Sequence, residues 1–160
     1  MIDFCIINTP IGKLQIESNL NILTKISFNI NRVTSIPSTS IKHNLAIQQT
    51  IEELNEYFFS DREIFTINYR LEVSPFYKKV LKKVSKIPFG TTQSYKQIAK
   101  QLNNKNAYRA VGSANANNPL PIIIPCHRVI KSNGNPGDYG GGMKNKKILL
   151  NHENPSPFFF

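Results

Sequence analysis

Residues 94–119 read SYKQIAKQLNNKNAYRAVGSANANNP. Two short helical patterns flank a polar turn, NNKN. The first starts near Ser94 and carries an apolar stripe of Tyr95, Ile98, Ala99 and Leu102. The second, from Ala107 to Asn118, is rich in small residues. Asn118-Pro119 closes it, because the residue before a proline avoids helical geometry. Two short helices joined by a tight turn form a helix-turn-helix pattern, which by itself is weakly specific. Ala110, Gly112, Ser113, Ala114 and Ala116 leave the second helix little bulk. Such a surface suits close approach to a nucleic-acid strand, and equally suits close packing of one helix on another.

Upstream, Ser74 is a good N-cap and Pro75 suits a first helical position. Phe76, Val80, Val84 and Ile87 then recur at helical spacing, with Lys78, Lys79, Lys82, Lys83 and Lys86 on other faces. The segment SDREIFTINYRLEVSP reads as a loop, a short strand and a linker, with a boundary near residues 70–74. Before it, residues 2–30 hold three strand patterns. Thr9-Pro10 and Gly12 mark a hairpin turn between the first two. NRVTSIPSTS is a polar loop. Lys42–Phe59 has helical spacing, with Leu45, Ile47, Ile51, Leu54 and Phe58 mostly on one side. The expected organisation is an α/β unit over residues 1–73 and a mostly helical unit over residues 74–160.

The chain has 160 residues and 40% hydrophobic content, enough for a core. No apolar run reaches membrane-spanning length. The first residues, MIDFCIINTPIG, lack the basic start of a signal peptide, so the expected location is the cytoplasm. The net charge is +10. Residues 1–70 carry six Lys/Arg against seven Asp/Glu, whereas residues 71–160 carry fourteen against three. The basic excess therefore belongs to the second unit and suggests a polyanion partner, nucleic acid before membrane. A solvated lysine surface is the plain alternative.

Downstream of the helix-turn-helix, Ile122–Ile130 reads IIIPCHRVI. The segment LPIIIP is strand-like and expected to be buried, yet it runs into a thiol, an imidazole and a guanidinium. A cysteine nucleophile acts as its thiolate, favoured by a nearby imidazole or positive field. In an extended segment Cys126 and His127 would point to opposite faces. Contact then needs an irregular backbone, which Pro125 makes plausible, or a bridging water. A third group should orient the imidazole. Only Glu72, Asp138 and Glu153 are acidic beyond residue 70, and Glu153 is the leading candidate. It ends a last helix, MKNKKILLNHE, with Ile148, Leu149 and His152 near one side. KSNGNPGDYGGG is a long flexible loop before that helix. Cys5 sits in an apolar run and reads as a buried, inert thiol. No CxxC or HxxxH spacing calls for a metal. A cysteine hydrolase would use the same triplet but leaves the basic excess unexplained.

PCHR followed by VI resembles the active-site signature of the O6-alkylguanine-DNA alkyltransferases, also called methylated-DNA–protein-cysteine methyltransferases. SYKQIA, RAVG and NPLPIIIPCHRVI fall in that family's order, and DYGGG…K…LLNHE continues it over residues 74–153. The resemblance implies an N-terminal RNase H-like subdomain, with a small antiparallel sheet and helix. It implies a winged-helix-like C-terminal subdomain with the helix-turn-helix. Cys126 would accept the alkyl group irreversibly, once per molecule, from O6-alkylguanine in double-stranded DNA, with O4-methylthymine as a further candidate substrate. His127, through a water, and Glu153 would generate the thiolate. Asn118 would brace the turn beneath the site, and Tyr95 would protonate the leaving guanine. Arg109 would fill the stack vacated by a flipped nucleotide. Ser94, Tyr95, Gly112, Ala114, Asn115 and Ser132 would meet DNA. Val129, Tyr139 and Gly140 would line the base pocket, and Arg128 would hold the interface between subdomains. No cofactor, metal or membrane is implied, and the protein is expected to act as a monomer. NNKNAY lacks the glycine and proline frequent in that family's turn, and Tyr108 replaces a small residue. The N-terminal part lacks the zinc ligands of some relatives. A lesion binder without chemistry is the second reading, although such relatives replace the cysteine that this chain keeps.

Overall fold

Thr9-Pro10 reverses the chain between β1 (Ile2–Thr9) and β2 (Gly12–Asn19), and Gly12 takes φ 98°, which the hairpin needs and a side chain resists. β3 (Ile22–Ser27) completes an antiparallel sheet in the order β1-β2-β3. A computed structural model describes residues 2–28, 30 and 42–155 of the chain. The polar stretch NRVTSIPSTS and the Phe158–Phe160 tail lie outside the described residues. The chain divides into two compact units, residues 1–72 and 73–160.

In the first unit the strand period of two puts Leu14, Ile16 and Ser18 on the buried face of β2. α1 (Leu45–Phe59) packs on that sheet. Asn44 caps α1 by accepting from the Ile47 N–H and donates to Ser18 and Asp3. The buried face of α1 is Ala46, Ile47, Thr50, Glu53, Leu54 and Tyr57. The stripe expected from sequence is corrected at Leu45, which is exposed. Two residues at 3.6 per turn put Leu45 on the far side from Ile47. The strand expected after Asp61 reduces to one bridge between Tyr69 and Leu23.

The second unit is mostly helical. α2 (Pro75–Val84) starts at the Ser74 cap and buries Val80, Leu81 and Val84. β4 (Gln93–Ser94) leads into α3 (Tyr95–Gln101), where Ser94 and Gln97 make a reciprocal capping box. α4 (Tyr108–Ala116) packs against α2 and α3. β5 (Val129–Ile130) pairs in parallel with β4, and α5 (Met143–Glu153) follows the glycine-rich loop. The fold is thus mixed α/β, with a three-stranded sheet and helix followed by a helix-turn-helix unit. No helix among the described residues is long and apolar enough to cross a membrane.

Candidate active site

The apolar run before Cys126 is buried as expected, but it is not a strand. Pro119, Pro121 and Pro125 have no N–H to give to a ladder. Residues 120–124 fold instead as a tight turn, with the Ile124 N–H donating to the Leu120 carbonyl at 2.9 Å. Ile122 takes φ 74°, a conformation that a β-branched residue rarely adopts. Asn118 spans this strained turn. Its amide donates to the Ile124 carbonyl at 2.9 Å, and its oxygen accepts from the Leu120 N–H at 3.0 Å. Beyond Pro125 the chain forms a 3-10 turn, Cys126–Arg128. The Cys126 N–H donates to the Ile124 carbonyl at 2.7 Å, and the Cys126 carbonyl accepts from the Asn115 amide at 3.0 Å. Extended pairing resumes only at Val129.

The 3-10 turn sends His127 and Arg128 to the same carboxylate. His127 Nε2 lies 2.6 Å from Glu153 Oε1. Arg128 donates from Nε to Glu153 Oε2 at 2.8 Å and from Nη2 to Oε1 at 2.9 Å. Of the three late acids, it is therefore Glu153 that meets the imidazole. The Gly90 N–H adds a longer bond to Oε2. The third guanidinium nitrogen, Nη1, donates to the Ile87 carbonyl at 2.6 Å. A buried guanidinium needs acceptors, and those bonded to Arg128 among the described residues, Glu153 and Ile87, lie inside the second unit.

Burial alone would raise the Glu153 pKa, but the hydrogen bonds from His127 and Arg128 and the charge of Arg128 outweigh it and hold the carboxyl well below its usual range. Burial lowers the pKa of His127, although Glu153 opposes that shift. Burial, with the nearby charge of Arg128, therefore keeps the imidazole neutral. Hydrogen bonding to Glu153 then assigns the ring proton to Nε2. Nδ1 is buried and has no hydrogen-bond partner among the described residues. A neutral ring with a free lone pair on Nδ1 is a base. Burial pushes the Cys126 thiol up, while Asn118 and Lys146 pull it down.

Lys146 escaped sequence reading. α5 buries Lys146, Leu149, Leu150 and Glu153, rather than the Ile148, Leu149 and His152 side expected. The residues i, i+3, i+4 and i+7 share one face, and the seven-residue spacing from Lys146 to Glu153 was the available signal. Lys146 is fully buried. Its ammonium donates to the Val129 carbonyl at 2.7 Å and, more weakly, to the Asp138 carbonyl at 3.4 Å. Burial lowers its pKa to about 8, against the pull of Cys126 and Asp138. It also stands 6.0 Å from the centre of the Tyr95 ring. Burial and the charges of Asp138 and Cys126 raise the Tyr95 phenol to about 12, with Asn115 opposing, so it holds its proton at neutral pH.

A cavity of about 560 Å³ opens in front of Tyr95. Arg109, Gly112, Asn115, Ser132, Tyr139 and Gly140 are among its lining residues. Gly137 also lines it with φ 74°, and a Cβ there would fall 2.8 Å from the Tyr95 hydroxyl, so only glycine leaves the phenol its place. Three expected site residues sit elsewhere. Ala114 and Val129 are fully buried. The Ala114 side chain faces inward from α4 rather than toward solvent, and Val129 offers its carbonyl to Lys146. Ser94 uses its hydroxyl as the α3 cap. Asn115 lines the cavity but spends its amide on the Cys126 carbonyl, which makes it a support for the turn.

Residues 75–155 match the family described as 6-O-methylguanine DNA methyltransferase, DNA binding domain. The chain is 35% identical over 158 residues to a Mycobacterium tuberculosis protein named methylated-DNA–protein-cysteine methyltransferase, covering 96% of this chain and 93% of that one. A Methanosarcina barkeri protein of the same name is 38% identical over 149 residues, covering 92% and 94%. The crystal structure of Mycobacterium tuberculosis O6-methylguanine methyltransferase superimposes with TM-score 0.85 at 34% identity, covering 99% of this chain and 96% of that one. That of Mycobacterium tuberculosis OGT in complex with DNA gives TM-score 0.85 at 33% identity, over 98% and 96%.

Proposed function

This chain belongs to the methylated-DNA–protein-cysteine methyltransferase family, enzymes of DNA repair by alkyl transfer, and from that premise we propose that Cys126 itself takes the alkyl group from O6-alkylguanine and keeps it. The observation that carries this reading is the line from Glu153 through a neutral His127 to the 3-10 turn that holds Cys126.

The target carbon lies on a base edge inside the duplex, so the nucleotide must leave the stack. Arg109, exposed on α4 at the cavity, is the residue placed to fill the gap. A guanidinium is planar and stacks on bases. The cavity beside Tyr95 receives the extruded guanine, and Tyr139 and Gly140 form part of its wall. His127 Nδ1 accepts the thiol proton through a bridging water, and Glu153 stabilises the resulting imidazolium. The sulfur attacks in line. A sulfur–carbon bond forms as the carbon–O6 bond breaks, and the electron pair returns to guanine. Tyr95, still protonated because its pKa is about 12, donates to the leaving ring. The thioether has no low-energy route back, so each molecule acts once. No cofactor is required, since the alkyl group arrives on the DNA. The same attack extends to O4-methylthymine, whose methyl group is also carried on an exocyclic oxygen of the base. The protein acts as a cytoplasmic monomer.

Incubation with an O6-methylguanine duplex, followed by mass spectrometry of the Cys126 peptide, tests this reading. One methyl group per protein on Cys126 is expected. Lesion binding with no adduct would leave a binder without chemistry, and repeated turnover on an ester or peptide would indicate a hydrolase. An O4-methylthymine duplex in a parallel reaction tests the wider substrate range.

A further inference from the structure

Tyr108 is an aromatic residue at the first position of α4, immediately before Arg109, and it is 37% exposed. The ring lines the same cavity as Tyr95 and Arg109, together with Lys96 and Lys131. Lys96, exposed on α3, holds its ammonium 5.7 Å from the centre of the Tyr108 ring. A cation thus rests on an aromatic face at the rim of the site. In a chain whose basic excess lies in this unit, both groups have a second use. A phosphate offers the ammonium a full opposite charge, and a ring relieved of the ammonium offers a base a stacking surface.

We propose that Tyr108 and Lys96 are a further duplex-recognition pair beside Arg109: Lys96 moves to a backbone phosphate, and the uncovered Tyr108 ring stacks on the base opposite the extruded nucleotide. The inference rests on the alkyl-transfer reading for its substrate. It accounts for three groups on one rim: an exposed ammonium, an exposed ring and the guanidinium of Arg109. Extruding a nucleotide leaves both a gap and an unpaired partner base. Arg109 fills the first, and Tyr108 holds the second.

The test compares Tyr108→Ala, Tyr108→Phe and Lys96→Ala with the parent chain. Two rates of Cys126 methylation are measured, from an O6-methylguanine duplex and from the free modified base, both below saturation. Affinity for the duplex is measured across a salt series by fluorescence anisotropy. Tyr108→Ala is expected to lose about tenfold more rate on the duplex than on the free base, the size of one base–aromatic stack. Tyr108→Phe retains the ring and should stay within about twofold of the parent, well under one stacking contribution. Lys96→Ala should reduce the salt slope by about 1. Equal losses on duplex and free base, a Phe variant as poor as the Ala variant, or an unchanged salt slope would each overturn the pair. A parent chain that never methylates Cys126 would instead defeat the alkyl-transfer reading. The pair is then judged on anisotropy with a duplex containing one unpaired base, where Tyr108→Ala must weaken binding or the proposal is lost. Circular dichroism confirms that the variants, all at exposed positions, remain folded.

Discussion

At the scale of single residues, chemistry at this site depends on which groups are charged. Burial favours the protonated form of Cys126, and in the proposed reaction its proton goes to Nδ1 of His127, which has no hydrogen-bond partner among the described residues. Cys126→Ser should therefore yield no methylated protein while binding the lesion duplex as the parent does, as a gel shift and mass spectrum of one sample would show. Glu153→Gln should slow transfer by about 10²–10⁴-fold, the usual contribution of positioned acid–base groups. It also leaves the buried Arg128 without its counter-charge, which costs about 3–5 kcal/mol. Wild-type stability should itself depend on acid. The Glu153 pKa is depressed from 4.5 in the fold, so the unfolded chain binds the extra proton as pH falls. The stabilisation is complete above pH 4.5 and is lost progressively below it. Urea melts between neutral pH and pH 3 should show that acid limb, and in Glu153→Gln the limb should flatten.

At the scale of elements, the site is a turn held by two helices. α4 supplies Asn115 and Arg109, and α5 supplies Lys146 and Glu153. Asn118, just after α4, closes the strained turn around Ile122. Asn118→Ala should destabilise the protein by about 1–3 kcal/mol, because it leaves the Leu120 N–H unpaired and removes one of the two donors to the Ile124 carbonyl. It should also slow methyl transfer, because Cys126 is seated on that turn; denaturation and single-turnover rates check the two effects separately. Arg109→Ala, on the exposed face of α4, should reduce repair in a duplex by at least about tenfold more than reaction with the free base, an effect of base-stacking size. Matching rates on both substrates would remove Arg109 from the gap-filling role. Helix spacing made the preceding helices legible, since Ser74-Pro75 marks the start of α2 and Ser94 that of α3. Orientation was harder. Leu45 and His152 matched apolar or functional types but lie off the buried faces, because only packing selects which stripe turns inward.

At the scale of the molecule, an acidic-to-neutral first unit is joined to a second unit that carries all the basic excess. That asymmetry makes DNA affinity an electrolyte property. Raising salt from about 50 to about 200 mM should cost on the order of 10³ in affinity, if six or so phosphates are engaged. A titration of anisotropy against salt checks this. Transfer from the free base carries no phosphates, so its rate should change little over the same range.

Local chemistry made Cys126, His127 and the late acid Glu153 readable from the chain alone, as it did the helix starts and the charge division. Each depends on residue type and near-neighbour spacing, which a linear sequence contains. Folding decided what depends on distance across the chain. It turned IIIP into a strained turn rather than a strand, because prolines cannot supply ladder N–H groups and Asn118 reaches across to close it. It buried His127 and turned Arg128 onto Glu153, so that burial first and the guanidinium charge second hold the imidazole neutral. It buried Lys146 beneath Tyr95 and Val129, where its ammonium finds carbonyls that no spacing rule names.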